Sequence, residues 1–404
     1  MVDSADEDDR DRAWTIFLVF LRLGLTSFGG PIAHLGYFRE EFVARRRWLS
    51  ESRYTDLIAL SQFLPGPASS QVGMAVGLTR GGLRGAFAAW LGFTAPSAIA
   101  MILFALAASR WGMQWPAGAV RGLLLAAVAV VAQAVWSMAR TLCPDAPRIA
   151  IALSAAAVAL LRPDVWGQVG TIAIGAIAGL ALFARKPVAP HAADPPMRVS
   201  RRVGAWALAS FFVLLFALPL LARLWPTPEL KIFAAFYRAG SLVFGGGHVV
   251  LPLLQTAVVP TGWMSDDAFL AGYGAAQAMP GPLFTFSAYL GAAMSAGPGG
   301  WLGGLLCLIA IFLPSFLLVV GVLPFWSALR RNAFAQAALN GVNAAVVGLL
   351  LAALYRPVWV SAVHDLVDVA LVAIGIVALI RWKLPSWAIV LGVALTSYIV
   401  GGLG

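Results

Sequence analysis

Gln62-Phe63-Leu64-Pro65-Gly66-Pro67 returns further along the chain as Gln277-Ala278-Met279-Pro280-Gly281-Pro282. Both copies lie inside strongly apolar sequence. Proline removes a backbone donor and glycine relaxes the chain, so each Pro-Gly-Pro breaks whatever helix carries it. Around the two copies, other motifs repeat in the same order. Phe20-Leu21-Arg22-Leu23-Gly24 followed by Phe28-Gly29-Gly30 matches Phe236-Tyr237-Arg238-Ala239-Gly240 followed by Phe244-Gly245-Gly246. Trp48-Leu49-Ser50 matches Trp263-Met264-Ser265, Gly82-Leu83-Arg84-Gly85 matches Gly300-Trp301-Leu302-Gly303, and Pro96-Ser97 matches Pro314-Ser315. The offset drifts by only a few residues along this series, which identifies an internal duplication.

The solvent for such a chain is a bilayer. Its 404 residues are 60% hydrophobic and only 11% charged, with a mean hydropathy of +0.84, whereas soluble domains carry about 25% charged residues. Runs such as 85–108 and 337–354 are apolar on every face and do not alternate, so they read as helices rather than barrel strands. The predicted class is an all-α polytopic membrane protein of two homologous halves with broken or re-entrant helices. Apolar segments are expected at 14–37, 55–78, 85–108, 118–139, 148–161 and 168–184, then a lone segment at 203–223. Six more follow at 232–255, 268–295, 300–325, 336–355, 362–380 and 385–403. The expected organisation is an acidic tail (1–13), a first repeat (14–184), a basic Pro-rich linker (185–202), a connecting transmembrane helix (203–223) and a second repeat (232–404).

Charge gives the orientation. The loop from Arg39 to Arg53 also holds Arg45, Arg46 and Arg47, while its counterpart from Leu254 to Ala268 has no basic residue and contains Asp266 and Asp267. Lys and Arg favour cytoplasmic loops, so the two halves are expected in opposite orientations, with the single connector providing the odd crossing. The Arg330–Arg331 loop fits this less cleanly. Inverted repeats are a common architecture of secondary transporters, with the binding site at the repeat interface. A net charge of +10 suits anionic lipid or an anionic substrate; nucleic acid is excluded as a partner because no basic soluble domain exists to carry it. Two distant cysteines and four scattered histidines form no disulfide framework and no metal-ligand spacing, so neither a metal nor a cofactor is expected.

Broken helices at membrane depth are tolerated where they line a cavity or are buried in protein. A broken helix also offers free N–H groups and a positive dipole end that suit an anion. The candidate binding elements are therefore Pro65, Gly66 and Pro67 with Pro280, Gly281 and Pro282, and Phe28, Gly29 and Gly30 with Phe244, Gly245 and Gly246. Close helix packing explains single glycines equally well. Arg22 and Arg238 each lie inside an apolar run, where an arginine costs about 2.5–3.5 kcal/mol on insertion scales. Either snorkels to an interface or serves as a bidentate fork for an oxyanion. Apart from Asp56 at a segment edge, no intramembrane carboxylate is available to neutralise them. Gln62 and Gln277 donate to an oxyanion or tie helices together. His34 and His248 are the protonatable groups beside the Gly-Gly elements, and His248 is the stronger candidate.

The Phe28-Gly-Gly element, the basic loop ending at Trp48-Leu-Ser50, Gln62-Phe-Leu-Pro-Gly-Pro67, and their second copies from Phe244-Gly-Gly-Gly-His248 to Gln277-Ala-Met-Pro-Gly-Pro282 resemble the chromate ion transporter family in its long, two-domain form. That resemblance implies export of chromate from the bacterial cytoplasm across the inner (plasma) membrane, giving chromate resistance, with chromate or a related oxyanion and membrane lipid as partners. It leaves open whether the chain self-associates as a homo-oligomer. A carrier for sulfate or another tetrahedral oxyanion would use the same chemistry. A membrane enzyme acting on lipid-linked phosphate is the remote alternative; it would need a general base, nucleophile or metal cluster, and His, Asp and Glu are scarce in the segments. The second copy has Gly247 where the first has Pro31, so the halves need not contribute equally.

Overall fold

Residues 3–28, 30–110, 117–162, 165–184, 199–244 and 250–401 are described by the computed structural model, and they are helical almost throughout. The first half runs α1 (Asp3–Thr26), α2 (Gly30–Arg39), a wide turn (Glu40–Arg45), α3 (Glu51–Phe63), α4 (Ala68–Arg110), α5 (Ala117–Leu142), α6 (Ala146–Leu161) and α7 (Val165–Phe183). The connector α8 (Arg201–Leu224) follows. The second half runs α9 (Pro228–Leu242), α10 (Val250–Val258), α11 (Asp266–Ala278), α12 (Phe286–Ala293), α13 (Gly300–Val322), α14 (Trp326–Leu329), α15 (Ala333–Ala353), α16 (Val360–Ala362), α17 (Leu366–Ile380) and α18 (Ser386–Gly401). α1 begins inside the acidic stretch read from sequence as a tail.

The repeated motifs have identifiable local jobs. Ser50 and Ser265, which close the Trp-x-Ser copies, are the N-caps of α3 and α11, accepting from the N–H of Arg53 and Ala268. Asp145 and Asp365 cap α6 and α17 in the same way. Each satisfies one of the orphan donors at a helix start. Within α4 the backbone leaves helical geometry at Gly81 and Gly82, where Gly82 has φ +60. A Cβ at Gly77 would overlap the Gly85 carbonyl, a contact that eight residues of straight helix would not permit. α4 is therefore a tight helical hairpin with arms at 68–80 and 83–110. The second half makes the same reversal between α12 and α13, with Gly291 packed on Gly303 and positive φ at Gly299 and Gly300.

Both interrupted segments of each half are broken. α2 and α10, at 10 and 9 residues, span only about 15 Å, half of a hydrocarbon core of roughly 30 Å. Among the described residues, five helical stretches are long and apolar enough to cross a membrane: 68–109, 121–142, 201–224, 300–329 and 333–356. The first of these contains the hairpin.

The halves exchange their C-terminal helices. α6 and α7 pack on α15 of the second half, and α17 and α18 pack on α5 of the first. Small residues permit this closeness: Gly175 and Gly179 lie against Gly341, Gly348 lies against Ala152, and Gly122 lies against Ala394. One buried core accordingly draws on both halves, joining Met101, Ile102 and Leu125 to Phe236, Leu290 and Ile311.

Candidate functional site

The end of α1 and the break before α4 belong to the first half; the end of α9 and the break before α12 belong to the second. These four elements cross reciprocally. The Gly66 N–H donates to the Val243 carbonyl at 2.6 Å, and the Gly281 N–H donates to the Ser27 carbonyl at 2.9 Å. Each Pro-Gly-Pro thus bonds to the residue just ahead of the other half's Phe-Gly-Gly. The Pro-Ser pairs complete the symmetry. A Cβ on Gly66 would overlap Ser315 Oγ from α13, and one on Gly281 would lie 2.9 Å from Ser97 Oγ on the second arm of α4. Beneath each crossing, Gly24 rests on the Phe93 carbonyl and Gly240 on the Ile311 carbonyl.

This geometry changes the role expected for the two central glycines. Their N–H groups are engaged in holding the halves together rather than presented to a ligand. The reason is topological: reciprocal crossing brings a helix-end carbonyl of one half to the broken helix of the other.

Polar groups gather around the crossings. His34, buried on α2, has Nε2 3.2 Å from the Ser27 carbonyl and Nδ1 3.2 Å from Ser69 Oγ. A carbonyl only accepts, so Nε2 carries the proton and Nδ1 accepts from the Ser69 hydroxyl. The Ser27 carbonyl therefore receives two donors, His34 and Gly281. Gln71 Nε2 donates to the Pro65 carbonyl at 2.6 Å and braces the first break. Ser27 Oγ, Ser70 Oγ, Gln71 Oε1, Thr94 Oγ1, Gln277 Nε2 and Ser315 Oγ are buried without a hydrogen-bond partner among the described residues. Buried polar atoms are ordinarily paired, so their concentration at the two crossings is a chemical signature.

The sequence-derived residues fall in several settings. Pro65, Gly66, Pro67, Pro280, Gly281 and Pro282 form the crossing itself. Phe28 and Phe244 are half-buried, Phe28 with its ring 6.1 Å from that of Trp387 on α18. Gln277 is buried, while Gln62 is exposed. Gly30 starts α2 with φ +76. Gly29, Gly245, Gly246 and His248 lie outside the described residues.

Arg22 is exposed rather than buried. It shares a face of α1 with exposed Trp14, Leu18 and Leu25, whereas Ile16, Val19, Phe20 and Leu23 carry the packed face. Helical periodicity therefore turns Arg22 away from the crossing. Arg238 differs: it is half-buried and lines a small recess with Gln168 of α7, Ala235, Ala239, Leu242 and Leu253. Gln168 donates to Thr256 Oγ1 at 2.7 Å. Asp56, the carboxylate nearest in sequence terms, is taken by Arg330 of the other half at 2.6 Å. Among the described residues, no three His, Cys, Asp or Glu side chains gather as a metal site would require.

Sequence inspection missed Ser69, Ser70, Gln71, Gln168 and the placement of Ser97 and Ser315 against Gly281 and Gly66. The last two were visible as a repeated Pro-Ser pair. Ser70 and Gln71 have no polar repeat beyond Thr285, because the second copy reads Phe284-Thr285-Phe286.

Known proteins place this architecture in a family. The chain is similar to the chromate transport protein of Pseudomonas aeruginosa, at 29% identity over 95% of this chain and 92% of the relative. It is likewise similar to the probable chromate transport protein of Synechococcus elongatus, at 27% over 90% and 88%. The chromate transport protein of Cupriavidus metallidurans matches at 28% over 95% and 92%. No solved structure matches the chain. The chromate transporter family matches residues 14–182 and again 230–398, one match per structural half with the two meeting at the reciprocal crossing, and the chain belongs to that family.

Proposed function

We propose that this chain carries chromate, or a closely similar tetrahedral oxyanion, out of the cytoplasm across the bacterial inner membrane, and so confers chromate resistance. The observation that carries this reading is the reciprocal crossing of broken helices between two homologous halves, surrounded by buried unpaired hydroxyls. The cargo is drawn from the names of the full-length relatives. In this reading the halves are inverted in the membrane, and transport parts and re-forms the Gly66–Val243 and Gly281–Ser27 hydrogen bonds as one half rocks against the other. Arg238 supplies positive charge close to the crossing, and Arg22 acts at most as an approach charge on the outer face of α1.

Radiolabelled chromate accumulation in cells expressing the chain tests this, with excess sulfate as competitor. Lower accumulation that resists sulfate and weakens in Arg238→Gln is the expected result, with Arg22→Gln the milder change and membrane insertion retained in both. Altered sulfate flux with unaltered chromate would assign a different oxyanion to the same architecture. No effect on either anion would reject the transport reading.

A further inference from the structure

The two crossings are related by the duplication, yet their hydrogen bonding is not equivalent. At the crossing built on Gly281, the Ser97 hydroxyl donates to the Thr94 carbonyl at 3.2 Å and the Thr285 hydroxyl donates to the Pro282 carbonyl at 2.8 Å. The residue at the place of Gln71 is Phe286, fully buried against Phe269 and Tyr273. At the crossing built on Gly66, Ser70 stands where Thr285 stands in the other half, and its hydroxyl is unpaired although only 2% of the residue is exposed. Ser315 stands where Ser97 stands; it is fully buried, and neither its hydroxyl nor that of Ser70 has a hydrogen-bond partner among the described residues. Gln71 Oε1 is a third unpaired atom at the same place. The other crossing also holds unpaired atoms, Ser27 Oγ, Thr94 Oγ1 and Gln277 Nε2, but none of these lies on the helix start that follows its break.

We infer that the oxyanion seat of this transporter is single and lies at the first-half crossing, formed by the first turn of α4 with Ser70 and by Ser315 reaching in from α13. This rests on the oxyanion cargo proposed above. The first turn of α4 leaves N–H groups without intrahelical acceptors, and it follows Pro67, which has no N–H of its own. Side chains lean toward the N-terminus of their helix, so Ser70 is directed at that turn. Ser315 is independent of the helix end. It belongs to the opposite half and stands against Gly66, where a side chain at position 66 would collide with both Ser315 and Gln71. Glycine at 66 thereby lets Ser315 and Gln71 come right up to the break. Hydroxyls and backbone N–H groups suit a tetrahedral oxyanion because they donate hydrogen bonds without a fixed charge that would trap it. Gln71 holds the shape of the seat through the Pro65 carbonyl, and its free Oε1 is an acceptor for a ligand proton. Because Ser70 and Ser315 come from opposite halves, the seat is complete only while the crossing is closed.

The test uses the full-length chain reconstituted in proteoliposomes, with chromate as the probe, and equilibrium dialysis of chromate against the detergent-purified protein. Ser70→Ala and Ser315→Ala should each raise KM and weaken binding about tenfold or more, the loss of one hydrogen bond to a charged group. Thr285→Val, the matching position of the other half, should leave both unchanged. Each Ser→Ala change removes a single oxygen, and dialysis on the monodisperse fraction separates lost binding from lost protein. Ser70→Ala and Ser315→Ala within twofold of the parent, while the parent transports chromate, would overturn the seat and leave the transport reading standing. Losses falling instead on Ser27→Ala and Thr94→Val would move the seat to the other crossing and equally overturn it. A parent protein that neither binds nor moves chromate would remove the cargo reading and the seat together.

Discussion

Gly66 has φ +129 and Gly281 has φ +88, conformations that side chains with a Cβ rarely adopt. The two positions look alike in sequence but face different tolerances. At Gly66 an added methyl group meets both Ser315 and Gln71, whereas at Gly281 its nearest neighbour is Ser97 Oγ at 2.9 Å. Either Gly→Ala change forces the backbone away from its positive φ, at about 1–3 kcal/mol. Gly66→Ala adds a steric clash at the proposed seat. The expected outcome is a lowered Tm for both variants in detergent, with chromate transport lost in Gly66→Ala and retained in part in Gly281→Ala. Equal transport loss in the two would show that the crossings are functionally symmetric.

Helix ends and their ion pairs decide how the elements hold together. Asp365 caps α17 and also pairs with Arg121 of α5, so a cap in the second half is tied to a helix of the first. Its carboxyl is held below the ordinary value of 3.8, first by the Asp368 N–H and then by the Arg121 guanidinium. A depressed carboxylate stabilises the fold fully above its unfolded pKa, and that contribution is lost as pH falls through the folded value. Melting curves should therefore show an acid-side loss of Tm that is smaller in Asp365→Asn. The Arg330–Asp56 bridge is the deeper one, since Arg330 is 4% exposed. Asp56→Ala takes a carboxylate away from this buried guanidinium and should cost about 1–3 kcal/mol, read as a drop in Tm.

Across the whole molecule, the exchange of α6–α7 and α17–α18 makes each half incomplete alone. Expressed separately, a half would present the small-residue face of α15 or α5 without its partner helices. Cutting the chain within 185–198 and co-expressing the two pieces should restore a complex that co-purifies and transports, while either piece alone should aggregate or be degraded. A single piece that stays monodisperse would show that the exchanged packing is dispensable.

Much of this was legible in the residues. The duplication, the all-helical membrane class and the breaks at Pro65-Gly66-Pro67 and Pro280-Gly281-Pro282 follow from composition and local chemistry, because helix breaking and hydropathy act within a few residues. Ser50 and Ser265 were visible as repeats, and their capping role follows from position. Other features depend on which elements meet. The exposure of Arg22 could not be read from its apolar run, since only packing of the Phe20 face turned it outward. The engagement of the Gly66 and Gly281 N–H groups, and the pairing of Ser315 with the first-half break, needed carbonyls and hydroxyls from hundreds of residues away. Sequence determined where the helices break, through the missing donor of proline and the freedom of glycine; tertiary structure alone decided what each break faces, because that partner comes from the opposite half of the chain.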